Sequence, residues 1–273
     1  MPEDMLLQLE SPFRVWGEAN ARAVLALHCS LAHAGAWSGV ARRLPDVQVT
    51  SFDQPSHGRA AGWDGVSDLH DLTTRIALGF AERMAVDGPI DLLGHSFGAT
   101  VALRIAMERP DLVRSLVLVE PVIFAAARAA GAPEFAPFAQ SHLGLAPLVA
   151  EGRTAEAAAA FHAVWGGDVG FSEMPEMQQR YMSDRIHLIV AQNPILLEDS
   201  AGLLGSMRLE SIGVPVLLIE GGASPPIIGA VQAELARRLA AAERLVVPGA
   251  GHMVPITHPD MVAGAICEFL AQC

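Results

Sequence analysis

Cysteine is scarce in this sequence. There are three in 273 residues, Cys29, Cys267 and Cys273. An odd count with no Cys-x-x-Cys pair excludes a disulfide framework and a cysteine zinc site. Cys267 reads as a helix residue and Cys273 as a terminal thiol. Positive charge is also short, with 18 lysines and arginines against 30 acidic residues, a formal net charge of −12. That balance repels phosphate backbones and anionic lipid surfaces, so neither nucleic acid nor a membrane is an expected partner. No apolar run reaches the length of a membrane span. The start, Met1-Pro2-Glu3-Asp4, is acidic and lacks the basic n-region and apolar core of a signal peptide, so the cytoplasm is the expected location. Internal repeats and low-complexity linkers are missing too, and the alanine-rich patch 155–160 reads as plain helix. The sequence leaves the oligomeric state open, a homo-oligomer included.

What is present is apolar residue, 51% of the chain, enough to fill one large α/β domain with an insertion. Short apolar runs alternate with helical patterns. Strands are expected at residues 13–16, 23–27, 47–52, 90–93, 115–119, 214–219 and 244–247. A helix is expected from about Asp68 to Met84, stopped by Asp87-Gly88-Pro89, and others after the run at 90–93, across 230–239, and from His258-Pro259 onward. This alternation implies parallel strands joined by crossover helices. Between Val122 and Ser211 the rhythm breaks into short helical patches interrupted by prolines, with no convincing strand. The expected organisation is therefore a core of residues 1–121 and 212–273 and a helical cap at 122–211. The cap would lie over the carboxyl edge of the sheet, where ligands bind in open α/β folds.

The chain is organised around Gly94-His95-Ser96-Phe97-Gly98. This is a Gly-x-Ser-x-Gly sequence with an apolar strand before it and an apolar-faced helix after it, the context of a nucleophile elbow. So tight a turn needs glycine on both sides of the serine. The following helix aims its N-terminal N–H groups at the place where negative charge develops.

Four ordered pieces carry a resemblance to a known family. They are the loop starting His28-Cys29-Ser30, the segment Asp53-x-Pro-x-His57-Gly58, the elbow, and Gly249-Ala250-Gly251-His252. Together they resemble the α/β-hydrolase family, in its capped esterase-like branch, over nearly the whole chain except the cap. The resemblance implies the α/β-hydrolase fold, a mostly parallel sheet with helices on both faces. It implies Ser96 as nucleophile and His252 as the base that removes its proton. It also implies an oxyanion hole from the backbone N–H groups of Phe97 and, because Cys29 replaces the family's glycine, of Ser30. Cys29 reads as a packed small residue, a thiol near the site being the alternative. His95 and His57 read as structural. His33 is a pocket candidate, while His142, His162 and His187 show no ligand-like spacing.

The acid that orients His252 is the departure. The family usually places an aspartate after the seventh strand of its own count, and here that position is Ser224. Some relatives carry the acid one strand earlier, which points to Glu120. Glu220, inside a strand pattern, and Asp199, in the cap, are the rivals.

The implied activity is that of a carboxylesterase or lactonase acting through an acyl-Ser96 intermediate. Cap aromatics and methionines (Phe124, Phe161 and Trp165 among the pocket candidates) point to a small, largely apolar ester. No cofactor and no metal is implied. Other readings on the same scaffold are a carbon–carbon bond hydrolase, a lyase or a perhydrolase. A ligand-binding or receptor-like protein with weak activity is a further alternative.

Overall fold

The computed structural model describes residues 11–19, 21–167, 169–205 and 208–273; the acidic stretch Met1–Asp4 lies outside them. Seven strands form one sheet: β1 (Phe13–Trp16), β2 (Arg22–Leu27), β3 (Val47–Phe52), β4 (Ile90–His95), β5 (Val113–Val119), β6 (Val216–Gly221) and β7 (Ala242–Val247). Their order is β1-β3-β2-β4-β5-β6-β7. β1 runs antiparallel to β3, and every other neighbouring pair is parallel. This is an α/β-hydrolase sheet, and each expected strand is present within two residues of its expected start.

Side-chain alternation explains why the sheet is covered on both faces. In β2, Leu25 and Leu27 point into one apolar cluster while Val24 and Ala26 point into another. β5 divides in the same way, Leu116 and Leu118 against Val117 and Val119. Strands apolar on both sides must be sandwiched between helices. One face packs against the helices Leu69–Met84, Phe97–Glu108 and Pro226–Arg238, through residues such as Phe80, Val101 and Val231. The other packs against Pro259–Leu270, through Val262 and Ile266. The Leu69–Met84 helix begins where its sequence requires, with the Asp68 carboxylate accepting from the Asp71 N–H.

Asp91, at the amino end of β4, is a carboxylate buried inside the core. Asp91 accepts from the Arg22 guanidinium at 2.6 and 2.8 Å and from the Ser115 hydroxyl at 2.7 Å. These donors compensate its burial. They also tie the strand that delivers Ser96 to both of its neighbours.

Between β5 and β6 the described residues contain helices and turns but no strand, from Phe124–Ala129 through Asn193–Glu198. Part of this segment has its own apolar cluster, built on Leu145, Ala157, Ala158, Ile186 and Ile189. Among the described residues no helix is long and apolar enough to cross a membrane.

Candidate active site

Parallel strands that share one direction deliver the residues following them to one edge, and the candidate residues all lie there. Ser96 follows β4 directly, Glu120 follows β5, Ser224 comes shortly after β6, and His252 follows β7. The elbow is as tight as its glycines require. A Cβ on Gly94 would stand 2.4 Å from the Ala99 Cα, and one on Gly98 would stand 2.4 Å from the Leu27 carbonyl oxygen. Ser96 has φ +56° and ψ −118°, a strained conformation for a residue with a side chain. The Ser96 N–H is held by the Val119 carbonyl at 2.9 Å. The backbone is thus fixed while the hydroxyl projects from the turn.

Three side chains form one chain of hydrogen bonds. The Ser96 Oγ lies 3.0 Å from Nε2 of His252, and Nδ1 of His252 lies 2.8 Å from Oε2 of Glu120. A carboxylate only accepts, so Nδ1 carries the proton and Nε2 is free to take the serine hydroxyl's. Glu120 is fully buried. Its other oxygen, Oε1, accepts from the Gly221 N–H at 2.5 Å and from the Ser224 hydroxyl at 2.8 Å. A buried carboxylate needs such donors to offset its lost hydration. Glu120 also has positive φ, +51°, and its N–H is bound by the Ile219 carbonyl at 2.8 Å. The two rivals for the acid position are engaged elsewhere. Glu220 pairs with Arg244 at 2.7 Å, and Asp199 accepts from the N–H groups of Leu203 and Leu204.

His95 sits beside Ser96 and supports this arrangement. Its Nε2 donates to the His252 carbonyl oxygen at 2.9 Å, holding the main chain of His252 in place. Burial, with the nearby His252 ring as a lesser cause, pushes the His95 imidazole down to about 3, so it is neutral. Neither contact is visible in a one-dimensional reading, because 157 positions separate the partners.

Phe97 is the first residue of its helix, so its N–H has no partner within that helix. The loop from β2 that carries Ser30 is fixed by a dense network. His28 donates from Nδ1 to the Cys29 carbonyl at 2.7 Å and accepts from the Gln54 N–H at 3.0 Å, while the Gln54 amide donates to the His28 carbonyl at 2.6 Å. The two roles require neutral His28, and burial lowers its pKa well below the ordinary range. Asp53 caps the Ala34 and Arg59 N–H groups at 2.8 and 2.9 Å. His57 organises its own turn through the Pro55 carbonyl at 2.9 Å. Leu31, next to Ser30, takes φ +59°. The chain's one tyrosine then clamps this loop to the inserted segment. The Tyr181 hydroxyl donates to the Ala32 carbonyl at 2.9 Å and accepts from the Gly58 N–H at 3.0 Å.

Ser96 and His252 open into a cavity of about 240 Å³. Phe124, Phe161 and Trp165 stand on its wall, as do Met174, Met182 and Leu196. The Trp165 ring packs on His252 at 4.5 Å between centroids, screening the imidazole from water. His33 is a correction, because it is not on this wall. Its Nδ1 accepts from the Gly35 N–H at 3.0 Å, which turns the ring onto the start of a short 3-10 turn. Sequence spacing gave no role to His142 and His162, yet both line the cavity, each with Nε2 bound, to the Asn193 amide oxygen and the Val169 carbonyl respectively. Gln192 also lines it and had no signal in the sequence. Cys29 is on the wall too, and burial pushes its thiol up to about 12, which makes it a packed, inert group. Among the described residues no three His, Cys, Asp or Glu side chains gather as a metal site would need.

The protein belongs to the alpha/beta hydrolase family, whose profile matches residues 24–265. Within that family it is 32% identical over 111 residues to Lipase LipV of Mycobacterium tuberculosis, a match spanning 40% of each chain. It is 26% identical over 276 residues to the sn-1-specific diacylglycerol lipase ABHD11 of Mus musculus, covering 93% of this chain and 83% of the relative. Among solved structures, a hydrolase from Pseudomonas aeruginosa PA01 has the same fold, with a TM-score of 0.75 at 19% identity, covering 94% of this chain and 93% of that one.

Proposed function

We propose that this protein is a serine hydrolase that cleaves a small, largely apolar ester through an acyl-Ser96 intermediate. The observation that carries the reading is the continuous Ser96–His252–Glu120 hydrogen-bond chain opening into an apolar cavity. In the first half-reaction Nε2 of His252 takes the Ser96 proton as Oγ attacks the ester carbonyl. Negative charge gathers on the carbonyl oxygen, facing the N–H groups of Phe97 and Ser30. The tetrahedral species collapses, the alcohol leaves with the proton from His252, and the acyl group stays on Ser96. In the second half His252 takes a proton from water, hydroxide adds to the acyl carbon, and the acid departs as Ser96 regains its proton. Throughout, Glu120 holds the imidazole in one tautomer and stabilises its charged form.

The similarity to Lipase LipV and to the sn-1-specific diacylglycerol lipase ABHD11 supports this reading. The receptor-like alternative drew its support from the serine at position 224; with Glu120 bonded to His252, that support is gone. In this reading the helical insertion acts as a cap, bringing Trp165, Phe161 and Phe124 over the nucleophile.

Steady-state turnover of p-nitrophenyl esters of graded chain length tests the proposal. Repeated turnover is expected, fastest for short acyl groups that a cavity of about 240 Å³ accepts. One slow acylation with no further release, on every chain length, would contradict it.

A further inference from the structure

Leu31 is held in a left-handed conformation, φ +59°, between two residues that are each tied to the inserted segment. On one side the Ser30 hydroxyl donates to Oε1 of Gln192 at 2.8 Å. On the other the Ala32 carbonyl accepts from the Tyr181 hydroxyl at 2.9 Å. Both anchors are themselves braced. Arg185 donates from Nε to the Ser56 carbonyl at 2.9 Å, and its guanidinium stands 3.9 Å over the Tyr181 ring. The Gln192 N–H is bound to the Leu188 and Ile189 carbonyls, and its own carbonyl accepts from the Leu196 N–H at 3.0 Å. A side-chain-bearing residue persists at positive φ only where its surroundings over-determine it, and these bonds supply that constraint. Gln192 is an expensive way to supply it. The residue is 1% exposed, and its Nε2 is shut off from solvent with no hydrogen-bond partner. A buried donor left unpaired costs stability, so packing alone does not account for an amide here. Among the described residues the Gln192 side chain makes one hydrogen bond, the one to Ser30, and no group accepts from the Ser30 N–H.

We infer that Gln192 is a positioning residue for the oxyanion hole, holding Ser30 by its hydroxyl so that the N–H of the same residue faces the carbonyl oxygen that Ser96 attacks. The inference rests on the serine-hydrolase reading above, which makes that N–H an oxyanion donor. Pinning the Ser30 hydroxyl fixes the Ser30 Cα, and with it the peptide that carries the N–H. A donor fixed before the reaction stabilises the developing charge without reorganising. The inserted segment then does more than wall the cavity, because it sets one of the two donors. Gln192 acts through Ser30, so its loss should appear in the transition state and not in substrate binding.

The test compares wild type, Gln192→Met, Ser30→Ala and the double variant in kcat and KM for p-nitrophenyl butanoate and in inhibition by a short alkyl trifluoromethyl ketone. The ketone adds to the Ser96 hydroxyl and leaves an oxyanion where the tetrahedral species has one, so its affinity reads the oxyanion donors. Methionine keeps the length of glutamine and removes the amide, unpaired nitrogen included. Ser30→Ala breaks the same bond from the other side and carries the test if the methionine variant does not fold. Each single variant is expected to lose kcat by on the order of tenfold, and the ketone to weaken by a similar factor. KM should stay within about twofold. The double variant should be no worse than the weaker single, because the two side chains act as one pair. An unchanged kcat in a folded single variant, a rise in KM at constant kcat, unchanged ketone affinity, or losses that multiply in the double variant overturns the inference and leaves the hydrolase reading intact. If a fluorophosphonate leaves Ser96 of the wild type unmarked, the hydrolase reading has failed and this inference with it.

Discussion

Ser224 donates its hydroxyl to Oε1 of Glu120 at 2.8 Å. It comes shortly after β6, and it holds the Glu120 carboxylate that comes from the neighbouring strand. β5 and β6 are parallel neighbours, with Val119 in register with Ile219. The residues that follow them therefore emerge side by side. Glutamate has one methylene more than aspartate, which lets Glu120 reach His252 while its second oxygen rests on Ser224 and the Gly221 N–H.

Removing the charge from Glu120 should be severe, and removing its support mild. For Glu120→Gln, turnover is expected to fall by on the order of 10² to 10⁴ with the circular dichroism spectrum unchanged. For Ser224→Ala, which leaves the Gly221 N–H in place, the loss should stay below about tenfold. Near-full activity in Glu120→Gln would remove it from the relay.

His95 gives a second prediction. Because its Nε2 fixes the His252 carbonyl, His95→Leu should let the imidazole shift relative to Ser96. The expected result is a drop in kcat of about tenfold or more with little change in KM, since small misplacements of reacting groups are costly and the substrate wall is untouched. A rise in KM at constant kcat would place His95 in binding instead.

The buried histidines predict how stability depends on pH. Burial lowers His57, His70 and His142 to about 4 and His95 to about 3, from an ordinary value of 6.5. Below 6.5 the unfolded chain binds protons that the folded protein refuses until those lower values are reached. Stability from these groups is complete above 6.5 and is lost as pH falls toward about 4. Urea midpoints should thus be nearly constant from about pH 8 to 7 and then decline steadily. A midpoint constant down to about pH 4.5 would contradict the burial of these rings as neutral groups.

A thiol experiment separates two of the three cysteines, Cys29 and Cys273. Cys29 is buried with its thiol raised to about 12, whereas Cys273 is exposed at the surface. Iodoacetamide at about pH 8 should alkylate Cys273 in the folded protein and leave Cys29 unmodified until denaturant is added. Rapid modification of Cys29 in the native state would mean that the thiol is open to the site.

How far the sequence alone reaches is clear from individual residues. The elbow was legible because its chemistry is local. Gly94, Ser96 and Gly98 are constrained by a turn five residues long, and the apolar runs on either side declare a strand and a helix. Glu120 was legible as a candidate because some members of the resembled family carry the acid one strand earlier, and Glu120 follows the apolar run that ends at Val119. The helix limits were shorter-sighted. The helix expected across 230–239 runs Pro226–Arg238, since Pro225-Pro226 starts it rather than precluding it. Gln192, Tyr181 and the bond from His95 to His252 were hidden. Each acts across more than a hundred positions, and nothing in its neighbours' sequence marks it. His33 misled because a histidine in a loop near the site carries no sign of which way its ring turns.

The central claim is that Ser96 is a hydroxyl activated by His252, and covalent labelling tests it most directly. A fluorophosphonate needs both an activated hydroxyl and an oxyanion hole to react. Intact mass spectrometry of the folded protein should show one adduct, assigned to Ser96 by peptide mapping. That adduct should be missing in Ser96→Ala and strongly slowed in His252→Ala. Labelling that persists in full in Ser96→Ala, or wild-type protein that takes up no probe, would contradict the account.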